Sequence, residues 1–545
     1  MSQKSHPPSV RLVVAAIALV AVASQTALAG VSAAGPLVPV SGASPFGELG
    51  DCGNAPGSPA GTNSLNSEVE PWIDVSPIDP LVMAGAWQQD RWSNGGARGL
   101  VASVSLDGGA TWQTPVPIPG VSQCSGGTFS RATDPWVAFG ADGDLYQISL
   151  SIDVDPATGT PGGFGPNALL VSKVQSADVT DDGGIASNEW TAPITIIQDS
   201  NPRFLSDKES ITAHPTNANF VYAVWDRLKQ STGDVINPER VPGNLAFKGA
   251  AMFSRTTDGG ATWASPRVIY DPGGISQTIG NQVLVLPDGT LVSVFNEILG
   301  ASQSAGPGPF NLSLKRSPDN GTTWLPRGRP IRAAKLLPRT LFTPPPFIGV
   351  YDPDDPTRPI RAADVLFDVA VGPSGELYAA WQDSRFSNSG TFNDPGLLID
   401  EIAFSQSLDG GRTWSQPIKV NQTPTGIALA NRQAFVPSID VAADGTVGVT
   451  YYDFRNNTAE SGAPTDHFIV HCHATCTSTA NWGGEVQLTT ASFDITQAPL
   501  TGSGFFLGDY VGLASSGNDF VALFTQAGSA TDPSSIYSRR VSTGT

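Results

Sequence analysis

One short pattern occurs four times in the chain and constrains its fold more than any other feature. It reads SLDGGATW from Ser105 to Trp112, TTDGGATW from Thr256 to Trp263, SPDNGTTW from Ser317 to Trp324 and SLDGGRTW from Ser407 to Trp414. In every copy an Asp precedes a Gly by two residues and a Trp by five. The Asp can accept backbone N–H bonds inside a tight turn, the Gly permits positive φ, and the Trp can pack back onto a sheet. The pattern is therefore turn architecture, and its Asp residues are expected to stabilise hairpins and to touch no substrate.

Short strands precede each turn in the same succession. PWIDV at 71–75, LVMAGAW at 81–87 and LVASVSL at 100–106 lead to the first; SITAHP, FVYAVWD and AAMFSRT lead to the second; VLFDVAV, LYAAWQD and IAFSQSL lead to the last. These runs are rich in Val, Ala, Phe and Tyr, alternate in polarity, and lie about ten residues apart, as in all-β proteins. Two further units lack the tidy turn: DPWVAFGADGDLYQISLS from Asp134 and PSIDVAADGTVGVTYYD from Pro437. A last one, GDYVGLASSGNDFVALFTQ from Gly508, has three strands at most. First strands are thus expected near residues 72, 136, 211, 284, 368, 439 and 511.

Repeated four-stranded units build a β-propeller, which leaves only short, protected sheet edges. The expected fold is all-β, with seven blades and the N-terminal LVPVS at 37–41 completing the last; six blades result if 129–199 or the last unit is an embellishment. The 59 Gly and 45 Pro exclude a helical bundle, while 12 Trp and 24 Phe suffice to fill a core. Residues 1–29 read as an export signal, 30–67 as an N-terminal segment holding the closing strand, and 68–545 as the propeller. The proline-rich 332–357 and the stretch 152–168 read as long loops.

The export reading rests on Lys4 and Arg11 ahead of the apolar run Leu12 to Ala23, followed by the small-residue site Ala27-Leu28-Ala29. That run is too short to cross a bilayer, so no membrane insertion is expected. A net charge of −19 argues against a nucleic-acid partner. In an oxidising compartment the four cysteines suggest two disulfides, Cys472–Cys476 as a local clip and Cys52–Cys124 tying down the N-terminal segment. The alternative is a metal site from His471, Cys472, His473 and Cys476, although strand alternation puts both His on one face and both Cys on the other.

A second recurring motif ends the second strand of several units. It comprises Trp87 with Asp90 and Arg91, Trp225-Asp226-Arg227, Trp381 with Asp383 and Arg385, and Tyr452-Asp453-Phe454-Arg455. Such acid and Arg pairs can act as struts between blades. They can equally form a rim of guanidinium forks that receives a planar carboxylate.

The octapeptide S-x-D-x-G-x-T-W resembles the Asp-box, or bacterial neuraminidase repeat, of the sialidase superfamily. That resemblance implies boxes between third and fourth strands, on the face opposite the active site, so the second-strand motifs would ring the functional face. It further implies an exo-glycosidase acting on glycoconjugates, with sialic acid as the terminal sugar, three Arg on its carboxylate, a Tyr–Glu nucleophile pair and an Asp acid/base. The matching candidates are Tyr510 with Glu209, and Asp207 and Asp90 as acids. Arg91, Arg227, Arg385 and Arg455, with Asp226, Asp383 and Asp453, would bind substrate. The family's R-I-P signature is absent; the nearest strings are Asn201-Pro202-Arg203-Phe204 and Arg131-Ala132-Thr133-Asp134. A non-catalytic glycan- or protein-binding propeller is the rival reading. A neutral-polysaccharide hydrolase using Asp90, Asp226 and Glu209 is a third. Either way a monomer is expected. His214 and His467 read as surface or satisfied core residues. No cofactor is required, but DVTDDGGIASNE places Asp178, Asp182 and Glu189 at calcium-loop spacing.

Overall fold

The computed structural model describes residues 1, 32–47, 52, 61–153, 166–181, 183–201, 203–230, 247–274, 276–300, 309–339, 349–387, 398–458 and 462–544. The expected signal at 1–29, Met1 apart, lies outside the described residues, as do Asp182, Pro202 and most of 152–168. The described chain is all-β; its α-helix at Ser176–Thr180 is a single turn. No described helix is long and apolar enough to cross a membrane.

Strands occupy six of the seven expected first-strand positions, and the seventh begins one residue later, at Gly512. Glu68–Val75, Met83–Arg91, Ala97–Ser105 and Val116–Pro117 pair antiparallel in that order. A single pairing, Ala97 with Ala132, joins them to Arg131–Phe139, Leu145–Ile152, Asn167–Val174 and Ile194–Asp199. The stretch 129–199 is therefore a full four-stranded unit. Similar antiparallel sheets start at Phe204–Ala213, Gln277–Val285, Phe367–Val371 and Ala434–Val441. The last comprises Gly512–Ser516, Asp519–Ser529 and Asp532–Ser542, and its outer edge pairs with Val38–Pro39 and Ala33–Ala34. First strands pack on one another in chain order, and the last packs on Glu68–Val75, completing a cycle.

Trp87, Trp225 and Trp381, at matching places in their second strands, are fully buried. Removing each large aromatic surface from water is the dominant favourable term for its sheet. All four repeated turns lie between third and fourth strands. In each, the leading Ser or Thr hydroxyl takes the N–H four residues on (2.8–2.9 Å), and the Asp takes both the N–H and the hydroxyl of the Thr. Pairing of Met83 with both Val75 and Ser105 puts the turn at one end of the strands, and pairing of Glu68 with Gln89 puts the acid and Arg motif at the other. The four turn Trp are only half-buried, because they cap the sheet rather than enter it.

One expected loop is structured instead. Where it is described, 332–357 is entered by the strand Ile331–Leu336, contains Gly349–Asp352 and is left by Asp355–Arg361. The latter two form a small additional sheet with Gly504–Phe506 and Leu500–Thr501, in which Ile360 and Arg361 pair parallel with Phe505 and Phe506. Proline disrupts a central strand, but this hairpin pairs through few residues and tolerates it. Both expected disulfides are present, Cys52–Cys124 and Cys472–Cys476, so the cysteine thiols are not available to a metal.

Candidate active site

Five first strands carry a bulge at the same place, away from the repeated turns. The unpaired residues are Glu70-Pro71, Asp134-Pro135, Lys208-Glu209, Gly280-Asn281 and Val436-Pro437. The first of each pair has positive φ: 56° at Glu70, 51° at Asp134, 49° at Lys208, 69° at Gly280 and 48° at Val436. A bulge re-aims side chains that strand alternation would otherwise fix. Left-handed backbone costs a non-glycine residue about 1–2 kcal/mol, and such strain gathers at functional sites. Here it brings charged groups of three consecutive sheets together.

Lys208 is the hub. Its Nζ lies 3.0 Å from Asp134 Oδ1, 2.9 Å from Asp509 Oδ2 and 3.7 Å from Glu70 Oε1. Arg361, from the additional sheet, donates from Nε (2.9 Å) and Nη2 (2.5 Å) to the two oxygens of Asp509. Asp509 N–H donates to Glu70 Oε1 at 3.2 Å, and Gln88 donates to Glu70 Oε2.

These contacts split the carboxyl groups into two protonation classes. Burial pushes Glu70 up to about 8, with the negative charges of Asp134 and Asp509 adding to the effect and Lys208 opposing it. Against burial, Arg361 and Lys208 hold Asp509 well below the usual carboxylate range. Lys208 and a hydrogen bond from Glu70 likewise hold Asp134 low. Near neutral pH Glu70 is protonated while Asp134 and Asp509 are ionised. Carboxyl groups held apart in this way are how one site carries both an acid and a base.

Glu209 and Tyr510 complete the site. Glu209 is 2 % exposed, neither carboxylate oxygen has a hydrogen-bond partner among the described residues, and burial pushes it well above the usual range. Asp207 is raised to about 6, chiefly by burial. Tyr510 donates its hydroxyl to Pro135 O (3.1 Å), and burial raises it well above an ordinary phenol. Its ring lies 5.6 Å from Trp136 and 6.1 Å from Trp72, which stack on each other. Trp72, Trp136, Lys208, Glu209, Asp509 and Tyr510 line one cavity of about 560 Å³, its open mouth included. An aromatic wall beside a buried carboxyl and ionised carboxylates is an arrangement suited to proton transfer.

The other sequence-derived candidates lie among partners of their own. Asp90 accepts from Ser44, Asn66 N–H and Arg98. Asp226 accepts from Thr278 and Asn281 of the next sheet. Arg227 forms a two-point pair with Asp199 (2.9 and 2.6 Å), Arg385 pairs with Asp383, and Arg455 bridges Asp453 and Glu485. Arg91 donates to Gln88 and lies over the Phe506 ring, which Arg361 also covers. Glu189 folds back onto Ala186 N–H at 2.6 Å, and Asp178 sits in the single-turn helix. Among the described residues no three His, Cys, Asp or Glu gather as a metal-binding group.

Sequence reasoning missed Glu70, Asp134, Lys208 and Arg361. The strings EPWIDV and DPWVAF carry two equivalent bulges in plain view, but the third copy reads Lys-Glu in place of acid-Pro, which hides the repeat.

No family model matches the chain, and neither does any curated protein. Among solved structures, a Dyadobacter fermentans protein of unknown function is 13% identical with a TM-score of 0.45, over 94% of this chain and 99% of that one. A Hadza microbial sialidase is 14% identical with a TM-score of 0.43, over 84% and 76%. A Penicillium chrysogenum alpha-L-arabinanase complexed with arabinobiose is 11% identical with a TM-score of 0.42, over 93% and 98%. Likenesses this distant carry no functional weight, which rests on the site's own chemistry.

Proposed function

We propose that the chain is an exported glycoside hydrolase, a seven-bladed β-propeller closed by its N-terminal strands, with its reaction centre at the Lys208 cluster. The carrying observation is Glu209, a buried acid with both oxygens unpartnered among the described residues, which lines the aromatic-walled cavity. Glu209 protonates the glycosidic oxygen. Asp509, kept ionised by Lys208 and Arg361, stabilises positive charge developing at the sugar and assists the attacking water, while Asp134 holds Lys208 in place. Trp72, Trp136 and Tyr510 offer apolar surface to a sugar face. Glu70 buffers the charge of Asp134 by holding the shared proton.

A neutral glycan suits the cavity better than an anionic one. Lys208 and Arg361 are already balanced by the ionised Asp134 and Asp509, so an incoming carboxylate finds no uncompensated positive charge. A sialoside is the second reading, favoured by the repeated turns and by Arg91 and Arg361 over the same Phe506 ring (5.1 and 4.4 Å). A panel of chromogenic neutral glycosides and one sialoside tests both. Turnover of a neutral substrate supports the first reading, and turnover of the sialoside alone the second. Glycan binding without turnover would replace both with a binding propeller.

A further inference from the structure

The HCHATC segment at 471–476 is unused by the proposed reaction. Its cysteines are joined to each other, which leaves two histidines on the opposite face of the strand Pro464–Cys472 and its continuation. His471 is 2 % exposed and His473 is half-buried. Both use Nδ1 for a hydroxyl contact, His473 with Thr446 Oγ1 at 2.8 Å and His471 with Ser32 Oγ at 3.5 Å. Among the described residues, both Nε2 atoms are buried without a hydrogen-bond partner. A buried imidazole nitrogen left unpaired is costly, and fixing Nδ1 through an outer hydroxyl is how proteins aim Nε2 at a metal.

Ring spacing agrees. With metal–nitrogen bonds of about 2.0–2.1 Å, two imidazoles on one ion have centroids about 4.6 Å apart at a right angle and about 5.3 Å apart at the tetrahedral angle. The observed separation is 4.8 Å, with the rings inclined at 78°. Gly484, at φ +58°, leaves the space that His471 occupies: a Cβ there would stand 2.1 Å from Cε1 of the ring and 2.7 Å from Ser32 Oγ.

We propose that His471 and His473 bind one divalent transition-metal cation, such as Zn²⁺ or Cu²⁺, through their Nε2 atoms, with water completing the coordination. Imidazole ligands select such borderline ions over calcium or magnesium. The site does not depend on the hydrolase reading. It lies where Ser32 leads into the strand Ala33–Ala34, which pairs with Asp532–Ser542.

Full-length protein freed of metal by chelation would be titrated with ZnCl₂ and, separately, CuSO₄, following calorimetric binding and melting together. One equivalent of either ion should bind and raise the melting temperature. His473→Asn and His471→Asn should each weaken binding at least about tenfold, as loss of one of two ligands requires. His214→Asn should change nothing. His473 is half-buried, so its variant keeps the test valid if His471→Asn does not fold. Absence of saturable binding up to about 1 mM of either ion, or undiminished binding in His473→Asn, would overturn the proposal.

Discussion

Asp509 shows how much of the site depends on single contacts. It is ionised because Arg361 and Lys208 both bond it, and Arg361 comes from a sheet outside the repeating units. Replacing Arg361 by Gln should raise the Asp509 pKa, so the acid limb of the pH–rate profile should move up by about 1–3 pH units. Lys at this position should restore the limb only in part, since it lacks the two-point fork. An unmoved limb would remove Asp509 from the chemistry. Little of this was legible in the sequence. Glu209 and Asp509-Tyr510 could be flagged as acids and an aromatic beside first strands. Their partners Glu70, Asp134 and Lys208 differ in type and become neighbours only through bulges, which reverse the facing that alternation predicts. His467 departs from expectation too: it is buried with neither ring nitrogen hydrogen-bonded among the described residues, stacked on Tyr452, and burial drives it down to about 3.

Strands and turns were far more legible, since alternation and the Asp–Gly–Trp spacing are local properties. What local pattern could not convey was depth. Trp414 is half-buried and bonds Gly411 O at 3.3 Å, so Trp414→Ala should cost about 1.5–3 kcal/mol in urea unfolding, below the about 3–5 kcal/mol of a fully buried aromatic. The additional sheet was hidden because Ile360 pairs with Phe505, a partner far off in sequence. Equally non-local is the pairing of Val38 with Ser538, backed by the buried Val40. Deleting residues 30–41 should therefore lower the melting temperature, and an unchanged value would show that the last sheet is stable without them.

At the scale of the molecule, first strands are also joined by buried acids. Asp74 accepts from Phe139 N–H, Asp368 from Ile439 N–H and Asp440 from Ser515 N–H, each linking one sheet to the next. Burial raises Asp74 to about 7 and Asp368 and Asp440 to about 6. A carboxyl raised on folding stabilises the fold fully below its unfolded pKa, near 4, and that contribution fades as pH climbs through 6 to 7. The turn residues Asp319 and Asp409 behave oppositely. Bonds from Thr323 and, despite slight burial, from Thr413 bring each down to about 2, so their contribution holds above pH 4 and fades only toward 2. Melting temperature should thus peak between about pH 4 and 6. Asp74→Asn should flatten the alkaline fall; a maximum above pH 8 would contradict this assignment.

Leaving-group dependence is the sharpest test of Glu209 as the proton donor of a hydrolase. Wild type and Glu209→Gln would be compared on two glycosides of the same sugar, one with an alkyl leaving group and one with dinitrophenolate, with melting curves as a check on folding. A poor leaving group needs the proton and a good one does not. If Glu209 is the donor, kcat falls about 10²–10⁴-fold on the alkyl glycoside and little on the dinitrophenyl one. Equal losses on both substrates, or none on either, would contradict it.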